Sequence, residues 1–315
     1  MEDLKQKIKD LAREKNAVIF AHYYTRPEIQ EIADFIGDSL ALAQQATHVH
    51  ADILVMCGVH FMGETMKILC PEKKVLIPDM NAGCSLADSC KAEDLKLFIE
   101  EQTHRFGQRP MVVSYVNTTA EVKALTDVVV TSSNAKKIVD QLPKDAKIIF
   151  GPDHNLGSYI NSVTGREMIL WNGACHVHSR FSLEALLQLK QQYPNAPVLA
   201  HPECKAPILA VSDVIGSTKA LLEYTISSNK KQFIIATESG ILFEMQRACP
   251  EKEFIPVPPE VTEGVGCSCN ECEYMRMNTL QKVYDCLLNE QPEMNVDPEI
   301  AAKDVSSIEK MLQMS

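Results

Sequence analysis

The sequence predicts an α/β protein made of three homologous parallel-sheet units arranged around a pseudo-three-fold axis. Three observations predict it. First, three apolar runs, AVIFAHYY from Ala17, MVVSYVNT from Met111 and PVLAHPEC from Pro197, each lead into a helix-like stretch. Second, each is followed by a related phrase, ADFIGDSLALA, TDVVVTSSNAK or SDVIGSTKALL. His22 to Ser39, Tyr115 to Ser132 and His201 to Thr218 are each 17 residues apart. Third, a cysteine-bearing segment closes each unit: NAGCSLADSC, WNGACHVH and GVGCSCNECEYM. Self-similarity of this kind is the signature of a repeated architecture.

In chain order, the opening MEDLKQKIKDLAREK is a charged helix pattern, unlike a signal peptide. The apolar runs that follow are short and do not alternate with polar residues, which suits strands buried on both faces. Helix-length stretches between them imply parallel β/α units with right-handed crossovers. An aspartate precedes each repeated hydroxyl by five positions: Asp34, Asp127 and Asp213. A third run (DILVMC, KIIFGP, QFIIAT) and a fourth (KVLIPD, EMILWN, EFIPVP) complete each unit. The expected domains are 1–84 together with 273–315, then 85–172, then 173–272. Near the end, Leu280, Val283, Tyr284, Leu287 and Leu288 keep helical spacing. Asp297-Pro298 reads as an N-cap followed by proline in the first turn. These two helices and the N-terminal one are expected to pack on the first unit.

Composition narrows the function classes. The 315 residues include 31 basic and 42 acidic side chains, a net charge of −11, which argues against nucleic acid or a membrane surface as partner. With 45% hydrophobic residues the chain has the apolar surface that a disordered protein lacks. No apolar run approaches the ~20 residues needed to span a bilayer. Eleven cysteines, an odd number, without an export signal predict a reduced, cytoplasmic setting rather than a disulfide framework.

In parallel α/β sheets, ligands bind at the carboxyl ends of strands. His22, Tyr115 with Asn117, and His201 with Glu203 are expected at such ends. Residues two apart on an extended segment share a side, so His201 and Glu203 should project together. Beside a bound dianionic substrate, like charge is expected to raise the Glu203 pKa toward the general acid–base range. Ser39, Ser132 and Thr218 fall at strand-to-helix junctions, where a hydroxyl caps the helix and free amides favour an anion. Each alone reads as a plain N-cap; three in register favour one pocket for a small polyanion. His48, His50 and His104 read as surface residues. His60 and His154 follow third strands, and His176 and His178 flank Val177 beside Cys175.

The cysteines sort by position. Cys84 closes the first unit, Cys175 the second, and Cys267, Cys269 and Cys272 the third. Glycines at 83, 173 and 266 permit tight turns there. Around a three-fold axis such loops would bring three thiolates to one centre. A structural zinc with a histidine as fourth ligand is one reading. The other is an iron–sulfur cubane with one iron open as a Lewis acid, and spacing does not decide between them. Cys57, Cys70, Cys204, Cys249 and Cys286 read as structural, and Cys90 as either.

The phrases AHYYTRPEIQEIADFIGDS, NAGCSLADSC, YVNTTAEVKALTD, TSSNA, GPDHNLG, HPEC, GST and CEYMRMNTL resemble the quinolinate synthase family, the A protein of de novo NAD biosynthesis, over essentially the whole chain. The resemblance implies a pseudo-three-fold α/β fold with a central [4Fe–4S] cluster. It implies condensation of iminosuccinate with dihydroxyacetone phosphate to quinolinate, phosphate and water. It also implies functional coupling to L-aspartate oxidase, which supplies the unstable iminosuccinate. By the same resemblance the cluster ligands are Cys84, Cys175 and Cys272. The substrate site comprises His22, Ser39, Tyr115, Val116, Asn117, Ser132, His201, Pro202, Glu203 and Thr218. Tyr24, His178 and Glu203 match proton-transfer residues. Cys272 matches by its place before EYMRMN, which leaves Cys267 and Cys269 as spare thiols able to form a redox-sensitive disulfide.

Overall fold

The computed structural model describes residues 2–260 and 270–315; Cys267, Cys269 and Gly266 lie outside them. The described residues form three four-stranded, all-parallel sheets. The first holds β1 (Ala17–His22), β2 (Phe35–Gly37), β3 (Ile53–Cys57) and β4 (Lys74–Leu76). The second holds β5 (Met111–Tyr115), β6 (Val128–Val130), β7 (Ile148–Phe150) and β8 (Ile169–Leu170). The third holds β9 (Val198–Ala200), β10 (Val214–Ile215), β11 (Gln232–Ala236) and β12 (Glu253–Pro256). Each sheet has the same order, second–first–third–fourth. The three-fold repetition is therefore one of topology as well as of sequence.

The repeated aspartates explain how register is held. Asp34, Asp127 and Asp213 each accept the amide of the first strand of their unit, from Ile19, Val112 and Val198, at 2.8, 2.7 and 2.8 Å. Each aspartate's own amide returns a bond to the carbonyl of that same residue. This two-way clasp sets the second strand against the first and fixes where the first strand's carboxyl end lies. A second repeated device ends the helix after the second strand. Lys73, Arg166 and Lys252 each reach the last carbonyls of the helices Ser39–His48, Ala135–Gln141 and Thr218–Ser227, where a cation suits the helix dipole.

The core is continuous where two units meet. Phe20, Leu54 and Met56 of the first unit share a cluster with Val113, Val129 and Phe150 of the second. The helix Glu2–Glu14 packs on Leu280–Asn289 and on β1, as expected. The helix Pro298–Met314 departs from expectation. It lies on β6 and on Ala120–Lys123 of the second unit as well as on His60–Leu69 of the first. Its buried Ile308 and Met311 belong to the cluster that those two units share, which draws it across the boundary. No helix among the described residues is long and apolar enough to cross a membrane.

Candidate active site and thiol centre

The three first strands end on one cavity with about 730 Å³ of empty space, its mouth included. His22 is the last residue of β1 and Tyr115 the last of β5, while His201 directly follows β9. All three line the cavity, together with Tyr24, Val116, Asn117 and Glu203. Pro202 is buried between His201 and Glu203 and is not part of the wall. The shared side of His201 and Glu203 is thus as the strand geometry requires. Both histidines use Nδ1 to accept the amide two residues on, Tyr24 at 3.2 Å and Glu203 at 3.3 Å. That leaves each proton on Nε2. Burial pushes both rings down, His22 to about 4 and His201 to about 3, so both are neutral N–H donors at physiological pH.

Ser39, Ser132 and Thr218 line the same cavity, yet none caps a helix. Asp38 caps the helix Ser39–His48 by accepting from Ala41, and Ser217 caps Thr218–Ser227 by accepting from Ala220. The turn holding Ser132 is closed by Asn134, whose Oδ1 accepts the Thr131 amide. The N-cap expectation is corrected: for Ser39 and Thr218 the cap lies one residue earlier, where the backbone is extended, and Ser132 lies two residues before Asn134, which precedes the helix Ala135–Gln141. The hydroxyls of Ser39 and Thr218 therefore belong to the first helical turn and remain available to the cavity. No Lys or Arg among the described residues lines it. An anion there would meet only neutral donors: hydroxyls, imidazole N–H groups and helix-terminal amides.

Across the cavity runs a chain of hydrogen bonds joining all three units. Tyr115 donates to Glu203 Oε1 at 2.6 Å. His178 Nδ1 stands 3.0 Å from Glu203 Oε2. His178 Nε2 and the Tyr24 hydroxyl both meet the hydroxyl of Thr237 at 3.0 Å, and Tyr24 meets Thr218 at 2.6 Å. A carboxylate accepts only, so His178 donates from Nδ1 and its Nε2 accepts from Thr237. Burial by itself would push the Glu203 carboxyl up. The His178 and His201 rings and the bonds from His178 and Tyr115 outweigh it and hold the group down at about 2. In the chain alone this carboxylate faces donors. Burial raises the Tyr24 and Tyr115 hydroxyls well above their ordinary value.

The three cysteine segments are built alike. His60, His154 and Ser239 each donate their amide to the carbonyl two residues before a cysteine, on Ala82, Gly173 and Asn270, at 2.7, 2.7 and 3.0 Å. The carbonyls of Cys84, Cys175 and Cys272 each accept the amide four residues on, from Asp88, Ser179 and Arg276. Each cysteine thus opens a helical turn whose amides point back at its sulfur: Ala87 and Leu86 for Cys84, His178 for Cys175, Met275 and Tyr274 for Cys272. This repetition makes Cys272 the structural counterpart of Cys84 and Cys175. All three thiols line the cavity. Burial pushes Cys84 up to about 11, Cys272 up to about 12 and Cys175 well above its ordinary value, so without a cation they stay neutral. Gly173 is required by close approach: a Cβ there would come within 2.2 Å of Ser89 Oγ. Gly83 is under no such constraint. One mixed group also stands out, with Cys175, His178 and Glu203 each bringing a potential ligand atom within 4.8 Å of the others.

The remaining cysteines, Cys57, Cys70, Cys90, Cys204, Cys249 and Cys286, are buried. His48, His50, His104 and His154 are exposed. Sequence reasoning did not find Thr237, Asp153 or Glu238. For the two acids a signal existed: both follow the third strand of their units, and aligning GPDH with ATES would have set them together. Asp153 accepts the Cys175 amide and Glu238 the Cys272 amide. Burial pushes their carboxyls up, to about 7 and about 8.

Comparison with known proteins agrees with this geometry over the full chain. A family model described as quinolinate synthetase A protein matches residues 6–313. A quinolinate synthase of Microcystis aeruginosa is 51% identical over 314 residues, covering 100% of this chain and 96% of the relative. Those of Chloroherpeton thalassium (50% identical; 99% and 95% covered) and Rippkaea orientalis (52%; 99% and 94%) are similar to the same extent. Three equivalent sheets, three equivalent cysteine loops and this end-to-end similarity identify the chain as an enzyme belonging to the quinolinate synthase family.

Proposed function

We propose that the chain condenses iminosuccinate with dihydroxyacetone phosphate to quinolinate, phosphate and water, beside a [4Fe–4S] cluster held by Cys84, Cys175 and Cys272. The observation that carries this reading is the convergence of three equivalent thiol loops and three equivalent strand ends on one cavity, in a member of this family. The thiol set fits the group: three soft sulfur donors, each with backbone amides aimed at it. Three cysteines leave one iron without a protein thiolate. When bound, the cluster would supply a Lewis acid at that iron, which makes a hydroxyl easier to lose.

The chain's own residues do the rest. The Nε2–H groups of His22 and His201 and the hydroxyls of Ser39, Ser132 and Thr218 bind carboxylate or phosphate oxygens without adding charge. Asn117 offers a further amide donor, and Val116 an apolar wall. Enolisation and dehydration each move a proton. Glu203, His178, Thr237 and Tyr24 form a continuous path for it, with Tyr115 holding the far carboxylate oxygen. Iminosuccinate is short-lived, so supply by L-aspartate oxidase in the cytoplasm suits this enzyme. The test is turnover: anaerobically reconstituted protein should form quinolinate from the two substrates and be brown. Absence of quinolinate with the cluster intact overturns the proposal. A second reading, a divalent cation on Cys175, His178 and Glu203, is favoured by their mutual approach within 4.8 Å. It predicts a colourless zinc protein.

A further inference from the structure

We propose that Asp153 and Glu238 are positioning residues for the thiol centre, each holding one cysteine loop at a second point and so setting where the sulfurs of Cys175 and Cys272 stand. The inference rests on the reading of the three thiols as cluster ligands. Asp153 and Glu238 follow the third strands of their units and are 0% and 1% exposed. Asp153 Oδ2 accepts the Cys175 amide at 2.8 Å while Oδ1 accepts Leu156 at 2.8 Å. Glu238 Oε1 accepts the Cys272 amide at 2.9 Å while Oε2 accepts Gly240 at 2.6 Å. Arg276 stands 3.6 Å from Glu238 Oε1.

In both units the next residue, His154 or Ser239, pairs with the carbonyl two positions before the cysteine. One hydrogen bond lets a loop pivot about it. Two bonds at adjacent rungs remove the pivot and fix the direction of the Cα–Cβ bond that carries the sulfur. The first unit has only the backbone bond, His60 to Ala82, with Val59 where the acid would stand. Two corners of the centre are therefore doubly held and the Cys84 corner singly. Every carboxylate oxygen is committed to a backbone amide, which suits a fixed strut better than a proton carrier. Groups behind metal ligands that orient them typically change metal affinity by ~10–100-fold when replaced.

An isosteric amide breaks the arrangement, because its single acceptor oxygen can serve only one of the two N–H groups and its NH2 opposes the other. The experiment compares the unmodified protein with Asp153→Asn, Glu238→Gln and a control, Asp34→Asn. The control makes the same change at a carboxylate that accepts a single amide, from Ile19, away from the thiols. After anaerobic reconstitution with ferrous iron and sulfide, iron per chain, the rate of bleaching by an iron chelator and the electron paramagnetic resonance of the reduced cluster are measured. Asp153→Asn and Glu238→Gln should bleach roughly 10–100-fold faster and show an altered resonance, while Asp34→Asn matches the unmodified protein. Unchanged bleaching and resonance in the two variants, or equal acceleration in Asp34→Asn, overturns the inference. Asp153 also caps the helix His154–Thr164. If Asp153→Asn does not fold, Glu238→Gln decides alone, since the helix Ile241–Ala248 uses no side-chain cap. If the unmodified protein takes up no cluster, the proposed function fails first, and the inference with it.

Discussion

Replacing Glu203 with glutamine tests the site at its most connected point. The side chain is 3% exposed and receives Tyr115 at 2.6 Å and His178 at 3.0 Å on separate oxygens. Glutamine keeps the shape but offers one oxygen, so one donor must face its NH2. Losing a hydrogen bond to a charged group costs ~1.5–3 kcal/mol. Relief comes if the Tyr115 hydroxyl turns to accept from the NH2, or if His178 moves its proton to Nε2, which reverses the bond to Thr237 and unsettles Tyr24. The carboxyl is held down from 4.5 to about 2 in the fold. A lowered carboxyl stabilises the fold above its unfolded value, and that contribution is lost as pH falls through about 2. At neutral pH the full effect is present, so removing the charge should lower stability there by on the order of the same few kcal/mol. Removing proton exchange should lower turnover by ~10²–10⁴. The assay is quinolinate formation under anaerobic conditions, with visible absorption to count clusters and denaturant unfolding of the cluster-free chain to count stability. Near-normal turnover in Glu203→Gln with the cluster intact would refute the reasoning and move the proton path to Tyr24 or Tyr115.

Single Cys84→Ser, Cys175→Ser and Cys272→Ser changes should each abolish cluster absorption and activity, whereas Cys90→Ser, at a buried cysteine outside the cavity, should retain both. Ser39→Ala removes a hydroxyl that caps nothing, so stability should change by less than ~0.5 kcal/mol while KM rises roughly tenfold or more; Thr218→Ala also loses the bond to the Tyr24 hydroxyl and should cost ~0.5–1.5 kcal/mol of stability. The true caps behave oppositely: Asp38→Ala and Ser217→Ala should each cost ~1 kcal/mol of stability in denaturant unfolding. Asp304 is 0% exposed, both its carboxylate oxygens lack a hydrogen-bond partner, and burial raises it to about 7 from 3.8. A raised carboxyl costs stability once the unfolded chain ionises, with the full cost reached above about 7. Asp304→Asn should therefore be more stable than the unmodified chain at pH 8, the gain shrinking toward zero near pH 4 in the same unfolding measurement.

Much of the site was legible because the repeat writes the same instruction three times. His22, Tyr115 and His201 could be placed at strand ends from the apolar runs alone, and the seventeen-residue interval led to Ser39, Ser132 and Thr218. Asp34, Asp127 and Asp213 stood out as a series before their purpose, holding the first strand, was visible. Thr237 was not legible. A threonine after a strand is ordinary, and what distinguishes this one is a meeting of Tyr24 and His178 that no local pattern encodes.

By itself the sequence determined the fold class, the succession of strands along each unit, the strand ends that face the cavity and the family. These follow from side-chain period, turn chemistry and repetition, which act over a few residues and are read locally. Tertiary structure alone decided that the order of strands in each sheet is second–first–third–fourth, that Asp38 and Ser217 are the caps, and that Pro298–Met314 crosses to the second unit. It also decided which donors Glu203 faces. Burial and charge depend on groups brought together from distant parts of the chain: Glu203 meets Tyr115 from the second unit and His178 from beyond it. A carboxylate among donors and one among anions have the same sequence. Only the packing of the three units determines which of the two it is.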